Sequence, residues 1–433
     1  MKTLAQIAAE LQGYDPQALS VEAVNRFLAQ LVEPITDTET VGIFQALGRV
    51  LAHDVISPIS VPPHDNSAMD GFAFASSQLR TSQPTSLRVV GTAFAGKAWA
   101  GPVGPGECLK IMTGAIMPAE LDTVVPLEFV RLQGEHLEIP PGVVAAGDNR
   151  RRLGEDLMAG QPALRQGQTL GPAALGLLAS LGLPDVRVFR RPRVAYFSTG
   201  DEILSLGQPP REGAVYDSNR YTVFGLLSRL GVDVIDMGVV GDQPAALEAA
   251  FQEAAHRADA IITSGGVSMG EADHTKAMMK QLGDVVFWRI AMRPGRPMAV
   301  GRISEQGTEP NTKPRRSALL FGLPGNPVAV MVTFLAFVRP ALLRLMGSTA
   351  SAPLLIKAHS AEALRKKPGR TEYQRGIVSR QPDGTLHVRT TGNQGSGVLR
   401  SMVEANGLIV LHHSQGHVAV GDEVDVMMFD GAV

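Results

Sequence analysis

The sequence has little cysteine and no excess of charge, and each shortage excludes a class of protein. Cys108 is the only cysteine in 433 residues, so the chain can form neither an internal disulfide nor a multi-cysteine zinc or iron–sulfur site. We interpret Cys108 as a small buried side chain. Lysine and arginine number 40 against 42 aspartates and glutamates, which gives a formal net charge of −2. Because nucleic-acid binders concentrate basic residues, no nucleic-acid partner is expected.

The chain also lacks a long uninterrupted apolar run. Acidic and polar residues interrupt the first twenty positions, which therefore have no apolar signal core. The longest apolar stretch, 328–338, contains a threonine and falls short of the ~20 residues that a membrane-spanning helix needs. We expect a buried helix there and a soluble, cytoplasmic protein with no membrane partner. The single thiol fits a reducing compartment.

Several familiar catalytic motifs are missing as well. The sequence contains no Walker-type loop, no GxGxxG after a first strand and no HExxH. Ser198 lacks the flanking glycines of a nucleophile elbow. The ten histidines have no spacing that indicates a metal site, so we expect most of them to be structural or solvent-exposed.

What the sequence does contain indicates several domains. With 433 residues and 44% hydrophobic content, the chain can bury more than one core. An N-cap serine, Ser20, precedes apolar residues at helical spacing, and helical spacing returns at 175–183. Between them, short apolar runs separated by glycine and proline are typical of strands. We predict a discontinuous N-terminal helical domain, 1–53 and 149–190, with an inserted β-rich domain at 54–148.

From residue 191 onward, predicted strands and helices alternate. Apolar runs such as 194–200 and 232–238 each precede a helical segment, which predicts parallel βαβ units with helices on both faces of the sheet. In the tail, alternating runs with glycine and aspartate turns indicate a small barrel. The predicted fold class is multidomain α/β plus β, with a central parallel α/β domain at 191–347 and a C-terminal β-barrel at 352–433.

Three predicted strand ends carry the same kinds of residue. In open parallel sheets, ligands bind beyond the carboxyl ends of the strands. Glycine N–H groups and serine hydroxyls at such ends can hold a phosphate before a helix begins. The residues concerned are Ser198, Thr199 and Gly200, then Ser264, Gly265, Gly266, Ser268 and Gly270, and finally Pro324, Gly325 and Asn326. The alternative for any one loop is an ordinary strand-to-helix turn, but three on one rim favour a binding site.

Carboxylates accompany these loops at Glu202, Asp217 and Asp273. A carboxylate beside a phosphate repels it unless a divalent cation bridges the two, and magnesium commonly binds one or two carboxylates plus phosphate oxygens. We predict that these three side chains are magnesium ligands. Helix capping is an alternative or additional role for Asp217 and Asp273, because each precedes a predicted helix.

A turn of sequence RPGRP carries Arg293 and Arg296. Proline and glycine keep the two arginines off any helix face, and guanidinium forks suit tetrahedral oxyanions. We predict an oxyanion-binding role for both. The alternative is that they are solvated surface arginines.

The longer motifs resemble those of one family. They lie at 61–73, which contains DNSAMDGFA, and at 150–156, 197–202, 216–219, 264–273, 323–327, 368–370 and 374–376. They occur in the order shown by the molybdopterin molybdenumtransferase family (MoeA, and the C-terminal part of gephyrin). Because the motifs span nearly the whole chain and several are long and unusual in composition, the sequence is identified as a member of that family.

The resemblance implies an elongated, four-domain homodimer. Its active site would form between the α/β domain of one subunit and the inserted domain of the other. The implied activity belongs to molybdenum cofactor biosynthesis: magnesium-dependent transfer of molybdate onto adenylyl-molybdopterin, with release of AMP and molybdenum cofactor. The resemblance also implies a molybdopterin adenylyltransferase and molybdoenzyme-maturation proteins as partners.

By position, the resemblance gives a function to six acidic or hydroxyl residues, namely Asp70, Thr113, Asp156, Glu202, Asp217 and Asp273. Asp70 and Asp156 would reach in from the partner subunit to bind metal or orient the cofactor. The last three carboxylates would place magnesium on the phosphoanhydride, and 264–270 would bind the phosphate side of the pterin. Thr113 would contact molybdate together with the two arginines.

The chain departs from the family pattern at a few positions. The segment that usually reads KPGKP has arginine at 293 and 296, which keeps the charge but replaces a point donor with a fork. Phe72 stands where tyrosine is common, and loss of that hydroxyl is not expected to abolish activity. The polar 304–316 loop is longer than expected and is predicted to lie outside the site.

Three other functions use similar residues. A related single-domain adenylyltransferase would consume ATP, but the extra N- and C-terminal domains argue against it. Gephyrin combines this architecture with a scaffold role, although no additional N-terminal domain or long linker is found in this sequence. The same chemistry with tungstate is open, because tungstate and molybdate have nearly the same size and charge.

Overall fold

The computed structural model describes residues 2–11, 13–266, 274–304, 317–350 and 353–429. Two capped helices, α1 (Leu4–Glu10) and α2 (Val21–Leu31), open the chain. Thr3 and Gln6 form a capping box at α1, and Ser20 accepts a hydrogen bond from the first turn of α2. The N-cap predicted at Ser20 is therefore present.

After α2 the chain runs through β1 (Thr38–Gly42) and β2 (Val55–Ile56) into a β-rich unit. The strands of this unit are β3 (Asn66–Ser67), β4 (Gly71–Phe74), β5 (Thr85–Ala93), β6 (Glu107–Ile111), β7 (Thr123–Pro126), β8 (Arg131–Gln133), β9 (His136–Ile139) and β10 (Arg150–Arg151). Six of them form one sheet in the order β7-β4-β6-β5-β9-β8. Cys108 is buried in this sheet, and burial raises the pKa of its thiol to about 12.

The chain then returns to its first region. It does so through β11 (Pro162–Leu164), α3 (Pro172–Ser180) and β12 (Asp185–Phe189). β12 pairs antiparallel with β1, and β11 pairs antiparallel with β2. These pairings close the N-terminal region around the inserted unit, in agreement with the predicted discontinuous arrangement.

A six-stranded sheet forms the centre of the molecule. Its elements are β13 (Arg193–Thr199), β14 (Ile203–Leu204), β15 (Val215–Tyr216), α4 (Ser218–Leu230), β16 (Asp233–Val240), α5 (Pro244–Arg257), β17 (Ala260–Ser264), α6 (His274–Leu282), β18 (Gly283–Arg289), β19 (Met292–Arg293), β20 (Pro297–Ser304) and β21 (Ser317–Leu323). The order in the sheet is β16-β13-β17-β21-β20-β18. The first four of these strands are parallel, but β20 runs antiparallel to both neighbours. The sheet is therefore mixed and not wholly parallel.

An apolar helical stretch, Pro327–Leu345, follows β21. It consists of α7 (Pro327–Thr333), a π-helical turn (Phe334–Val338) and α8 (Arg339–Leu345). Among the described residues it is the one helix long and apolar enough to cross a membrane, and 72% of its most apolar window is buried inside the protein. It is the core helix that the sequence predicts at 328–338.

Five strands of the tail close into a barrel. They are β22 (Leu355–Ser360), β23 (Thr371–Arg380), β24 (Leu386–Thr390), β25 (Gly407–Leu411) and β26 (Glu423–Met428), and a short helix, α9 (Arg400–Glu404), precedes β25. The ring closes where β23 pairs with both β24 and β25. β19 of the central region adds a parallel pairing to β23, which joins the barrel to the turn that carries Arg293.

An ion-pair group links the N-terminal region to the central sheet, and it predicts a pH dependence of stability. Arg190 binds both carboxylate oxygens of Asp259, at 2.7 and 2.8 Å, and also contacts Asp37. These hydrogen bonds outweigh the opposing effect of burial, so the pKa of Asp259 is lowered. A lowered carboxyl pKa stabilises the fold above the unfolded value of about 3.9, and this contribution is lost as pH falls through the folded pKa.

We expect Arg190→Met to lower the free energy of unfolding at pH 7 by roughly 1–3 kcal/mol. The difference from wild type should shrink as the pH falls from about 4 through the lowered pKa of folded Asp259, because only below that pKa is the carboxyl protonated in both proteins. Urea unfolding from pH 7 down to the lowest pH at which wild type stays folded measures this. Arg257→Met, which removes an exposed pair with Glu253, is the control and should change stability little. A loss at Arg190 that is independent of pH would contradict the assignment.

Candidate functional site

The carboxyl ends of β13, β17 and β21 open into one cavity of about 630 Å³. The loops after these strands line it, together with the turn between β19 and β20 and a loop of the barrel. Eight of the predicted site residues lie in its wall: Glu202, Gly265, Gly266, Arg293, Arg296, Pro324, Gly325 and Asn326. Segments distant in sequence thus meet on one rim of the sheet.

Two glycines of this rim have backbone angles that other residues rarely adopt. At Gly265, φ is +91° and a Cβ would lie 2.5 Å from the backbone carbonyl oxygen of Thr199. At Gly200, φ is +139° and a Cβ would lie 2.5 Å from a carboxylate oxygen of Glu202. Since other residues rarely adopt these backbone angles, the rim requires glycine at both positions. The loop after β17 therefore runs directly against the end of β13 and leaves the rim open to a ligand.

A group of hydroxyls lies beneath the rim. The hydroxyl of Tyr196 is 2.7 Å from the Ser264 hydroxyl and 2.9 Å from the Ser198 hydroxyl. All three side chains are buried, and burial raises the pKa of Tyr196, so it stays protonated. Ser198 and Ser264, predicted as ligand contacts, hydrogen-bond to each other and to Tyr196. The neighbouring Thr199 hydroxyl is buried with no hydrogen-bond partner among the described residues.

Asp217 caps α4 with one carboxylate oxygen and leaves the other without a described partner. One of its carboxylate oxygens caps α4 by accepting a hydrogen bond from the Arg220 N–H at 3.1 Å. The other oxygen, Oδ2, is buried and has no hydrogen-bond partner in the part of the chain that the structure describes. A buried carboxylate oxygen of this kind is a suitable ligand for a hard cation such as magnesium.

The other predicted metal ligands are less completely defined. Glu202 lines the cavity, whereas Asp273 lies outside the described residues, as do Ser268 and Gly270. Within the described ranges, no three His, Cys, Asp or Glu side chains lie close enough to hold a metal ion. Asp217 does not itself line the cavity. Carboxylate oxygens such as those of Glu202 and Asp217 are the donor type that magnesium takes, commonly one or two of them, with phosphate and water completing the shell.

The two arginines of the RPGRP turn are exposed at the cavity. Neither guanidinium forms an ion pair with a described carboxylate, so their charge is available to a ligand. The turn is fixed by the pairing of β19 with β23 and by Gly295, where a Cβ would lie 2.5 Å from the Thr333 side chain. The two guanidinium groups make this turn a suitable place for an anion to bind.

The barrel loop at 394–396 is a part of the site that the sequence reasoning missed. The Asn326 side chain donates to the Ser396 hydroxyl at 3.0 Å, and the Val328 N–H donates to the Ser396 carbonyl at 3.1 Å. Gln394 and Gly395 line the cavity beside Ser396. A glycine-rich run, GNQGSG at 392–397, was the available signal, because its composition is like that of the rim loops.

In the inserted unit, Asp70 and Thr113 bind each other. An oxygen of the Asp70 carboxylate accepts hydrogen bonds from the Thr113 N–H at 2.7 Å and from the Thr113 hydroxyl at 2.8 Å. These bonds lower the pKa of Asp70, which keeps it ionised. Both residues are exposed. Thr113, predicted to contact molybdate, therefore orients an exposed carboxylate in this structure.

The motifs at 61–73 and 150–156 form one surface. Arg150 pairs with the Asp65 carboxylate, whose other oxygen accepts a hydrogen bond from the Leu153 N–H at 2.6 Å. β3 and β10 pair directly beside them. Asp156 is exposed on this surface. None of the three residues Asp70, Thr113 and Asp156 lines the cavity of the same chain.

Three family models match consecutive parts of the chain. "MoeA N-terminal region (domain I and II)" matches residues 19–182, "Probable molybdopterin binding domain" matches 195–344, and "MoeA C-terminal region (domain IV)" matches 357–429. Together they cover most of the sequence: the first spans the N-terminal region with its inserted unit, the second the central α/β region and the third the barrel.

Curated relatives and a solved structure agree with these matches. A molybdopterin molybdenumtransferase of Haemophilus influenzae is 40% identical over 94% of this chain and 98% of its own length. One from Nostoc is 36% identical over 90% of this chain and 88% of its own. Gephyrin of Dictyostelium discoideum is 30% identical over 94% of this chain and 61% of its own. The crystal structure of a molybdopterin biosynthesis MoeA protein from Pyrococcus horikoshii matches 95% of this chain and 100% of that one, with a TM-score of 0.79 and 25% identity.

Proposed function

The chain belongs to the MoeA family of molybdopterin molybdenumtransferases and acts in molybdenum cofactor biosynthesis, and from this premise we propose how its site works. In our proposal the protein inserts molybdate into adenylyl-molybdopterin with the help of Mg²⁺ and releases AMP and molybdenum cofactor. The observation that carries the proposal is the cavity itself. One wall is a glycine rim suited to phosphate, and the facing turn carries Arg293 and Arg296.

The rim would bind the phosphoanhydride side of the substrate. Gly265 and Gly266 line one side of the cavity, and Pro324, Gly325 and Asn326 complete the rim. Glu202 and Asp217 would hold Mg²⁺. When bound, that cation would neutralise the charge on the phosphate oxygens. The uncompensated Oδ2 of Asp217 supports this assignment, because a buried anion needs a partner.

Arg293 and Arg296 would hold molybdate beside the rim. Their forks can each bind two oxygens of a tetrahedral dianion, so the oxyanion is oriented and its charge is balanced. The reacting groups are then fixed by the protein before reaction. Positioning and charge balance of this kind account for most of the catalysis in phosphoryl chemistry.

We further propose a homodimer in which Asp70 and Asp156 reach the cavity of the partner subunit. Two observations support it. Asp70 in the inserted unit and Asp156 in the segment that follows it are both exposed, and neither lines the cavity of its own chain. Large apolar side chains are also exposed elsewhere, including Phe44 at 93%, with Tyr221 and Phe224 on α4, which favours association with another protein surface.

The test is release of AMP from adenylyl-molybdopterin by the purified protein. We expect release to need both molybdate and Mg²⁺, and Glu202→Gln and Asp217→Asn each to reduce kcat by about 10²-fold and raise the Mg²⁺ concentration required. The matched control is Glu253→Gln, on the exposed face of α5, which should be unaffected. AMP release without molybdate, or consumption of ATP in place of adenylyl-molybdopterin, would reject the proposal and favour an adenylyltransferase.

A further inference from the structure

Two histidines lie side by side on the outside of the C-terminal barrel. His359 on β22 pairs in register with His387 on β24, and the centroids of their rings are 5.7 Å apart, with 56° between the ring planes. The neighbours Ala358, Ser360 and Val388 are buried. Because successive side chains of a strand point to opposite faces, both imidazoles lie on the outer face, where they are half-buried.

A hydrogen bond fixes the tautomer of the first ring. His359 Nδ1 lies 3.0 Å from the carbonyl oxygen of Gly421. A carbonyl oxygen only accepts, so in the neutral ring Nδ1 carries the proton and Nε2 keeps its lone pair. Histidines that bind metals usually have this arrangement, in which one nitrogen donates to a carbonyl or carboxylate and the other is the ligand.

The spacing of the two rings suits a shared metal ion. A metal–nitrogen bond of about 2 Å puts the centroid of an imidazole ~3 Å from the ion, so two imidazoles on a tetrahedral ion have centroids roughly 5 Å apart. The observed separation of 5.7 Å is close to this value. A small rotation of the two side chains would therefore bring both nitrogens onto one ion.

The charges around the pair do not oppose a cation. Lys357 lies on the same face of β22, but its Nζ is 3.3 Å from the carboxylate of Glu423 and 3.1 Å from that of Asp425. These two carboxylates outnumber the one ammonium group. Since no three His, Cys, Asp or Glu side chains of the described residues form a metal group, water would complete the coordination of an ion held by the two rings.

The histidines lie at the junction of the barrel that has the fewest backbone pairs. β22 and β24 share two residue pairs, whereas each other junction of the five-stranded ring has four or five. An ion bound by one ring from each strand would join the strands at this junction. Because such an ion binds only the folded barrel, it would also stabilise the barrel.

We propose that His359 and His387 form a binding site for a divalent transition metal ion of the zinc or copper type, which clamps β22 to β24. Imidazole nitrogen prefers these ions, whereas magnesium prefers oxygen ligands, so this site differs in chemistry from the rim of the cavity. The inference does not depend on the proposed function.

The first test titrates the full chain, without an affinity tag and freed of metal by a chelator, with Zn²⁺ or Cu²⁺. We expect one equivalent to bind at the pair, and millimolar Mg²⁺ should not displace it. His359→Gln and His387→Gln should each weaken this binding by at least about tenfold, since loss of an outer-shell partner alone can cost that much. The double variant should lose the equivalent.

The control is His136→Gln, an exposed histidine on β9 of the inserted unit, which should bind the ion like wild type. Electron paramagnetic resonance of the Cu²⁺ protein identifies the ligands directly, with nitrogen couplings from two imidazoles in wild type and from one in each single variant. A wild type that binds no equivalent, or a double variant that keeps full affinity because the ion lies at other histidines, would overturn the site.

The clamp has a separate test in hydrogen exchange of the backbone amides. Saturating Zn²⁺ should slow exchange in 355–360 and 386–390 of the wild type and leave the double variant unchanged, because only the wild type joins the two strands through the ion. An ion that binds through both histidines without slowing exchange in these strands would show that the clamp is wrong.

Discussion

A dimer population formed at random from two inactive variants of this protein is expected to regain about a quarter of wild-type turnover. The first is Asp70→Ala, and the second is the double variant Arg293→Ala with Arg296→Ala. Each homodimer should lose about 10²-fold or more in kcat/KM, because each lacks one side of every site. In a mixed dimer, the rim and arginines of the first chain would face the intact Asp70 of the second.

The size of the recovery follows from counting sites. Random association of equal amounts makes half of the dimers mixed, and one of the two sites in each mixed dimer is intact, so about a quarter of the sites are restored. The structure motivates the experiment because Asp70 is ionised, oriented by Thr113 and exposed, yet does not line the cavity of its own chain.

Co-expression with two affinity tags isolates the mixed dimer, in which one of two sites is intact, so it should reach about half of wild-type turnover. The control is a chain that carries all three substitutions, paired with the Asp70→Ala chain; this mixture has no intact site and should stay inactive. If the first mixture also stays inactive while forming dimers, Asp70 acts in its own chain or not at all, and the shared site is wrong. Recovery in the control mixture would show that the assay detects something other than a composite site.

The fold class was predictable because its signals are local. β13 and β17 are short apolar runs followed by glycine, and each precedes a helix, so their membership of a parallel sheet follows from the sequence pattern. Strand direction at the edge was not predictable in the same way. β18 and β20 have strand-like composition, but whether they run parallel or antiparallel depends on a short connection through β19.

The barrel's contribution to the cavity depends on long-range contacts and gives no local signal. Ser396 reaches Asn326 across 70 positions, and this approach depends on the two-residue pairing of β19 with β23. The burial of Arg375 was harder still to predict, because arginine on a strand is normally expected at the surface. Its burial becomes evident only when loop 393–396 closes over it. The pairing of Asp65 with Arg150, in contrast, joins two motifs that the sequence had already marked as unusual.

Gly265→Ala is the single substitution in the rim for which we expect the largest loss. The new Cβ would lie 2.5 Å from the Thr199 carbonyl oxygen, and φ of +91° is a conformation that alanine rarely adopts. The loop after β17 must therefore move away from β13, which displaces the rim from the phosphate that we propose to bind there. A displacement of about 1 Å at a reacting centre can reduce turnover by about 10²-fold, so we expect kcat/KM to fall by at least that factor.

The matched control is Gly176→Ala, in the middle of α3. A Cβ at Gly176 meets no atom within 4 Å and the residue is helical, so this variant should keep full activity and gain about 0.5–1 kcal/mol of stability. Circular dichroism and Tm measured beside the kinetics distinguish a displaced rim from an unfolded domain. A Gly265→Ala protein that is folded and turns over like wild type would mean that the phosphate does not bind at this rim, and the orientation proposed for the substrate in the cavity would have to be reversed.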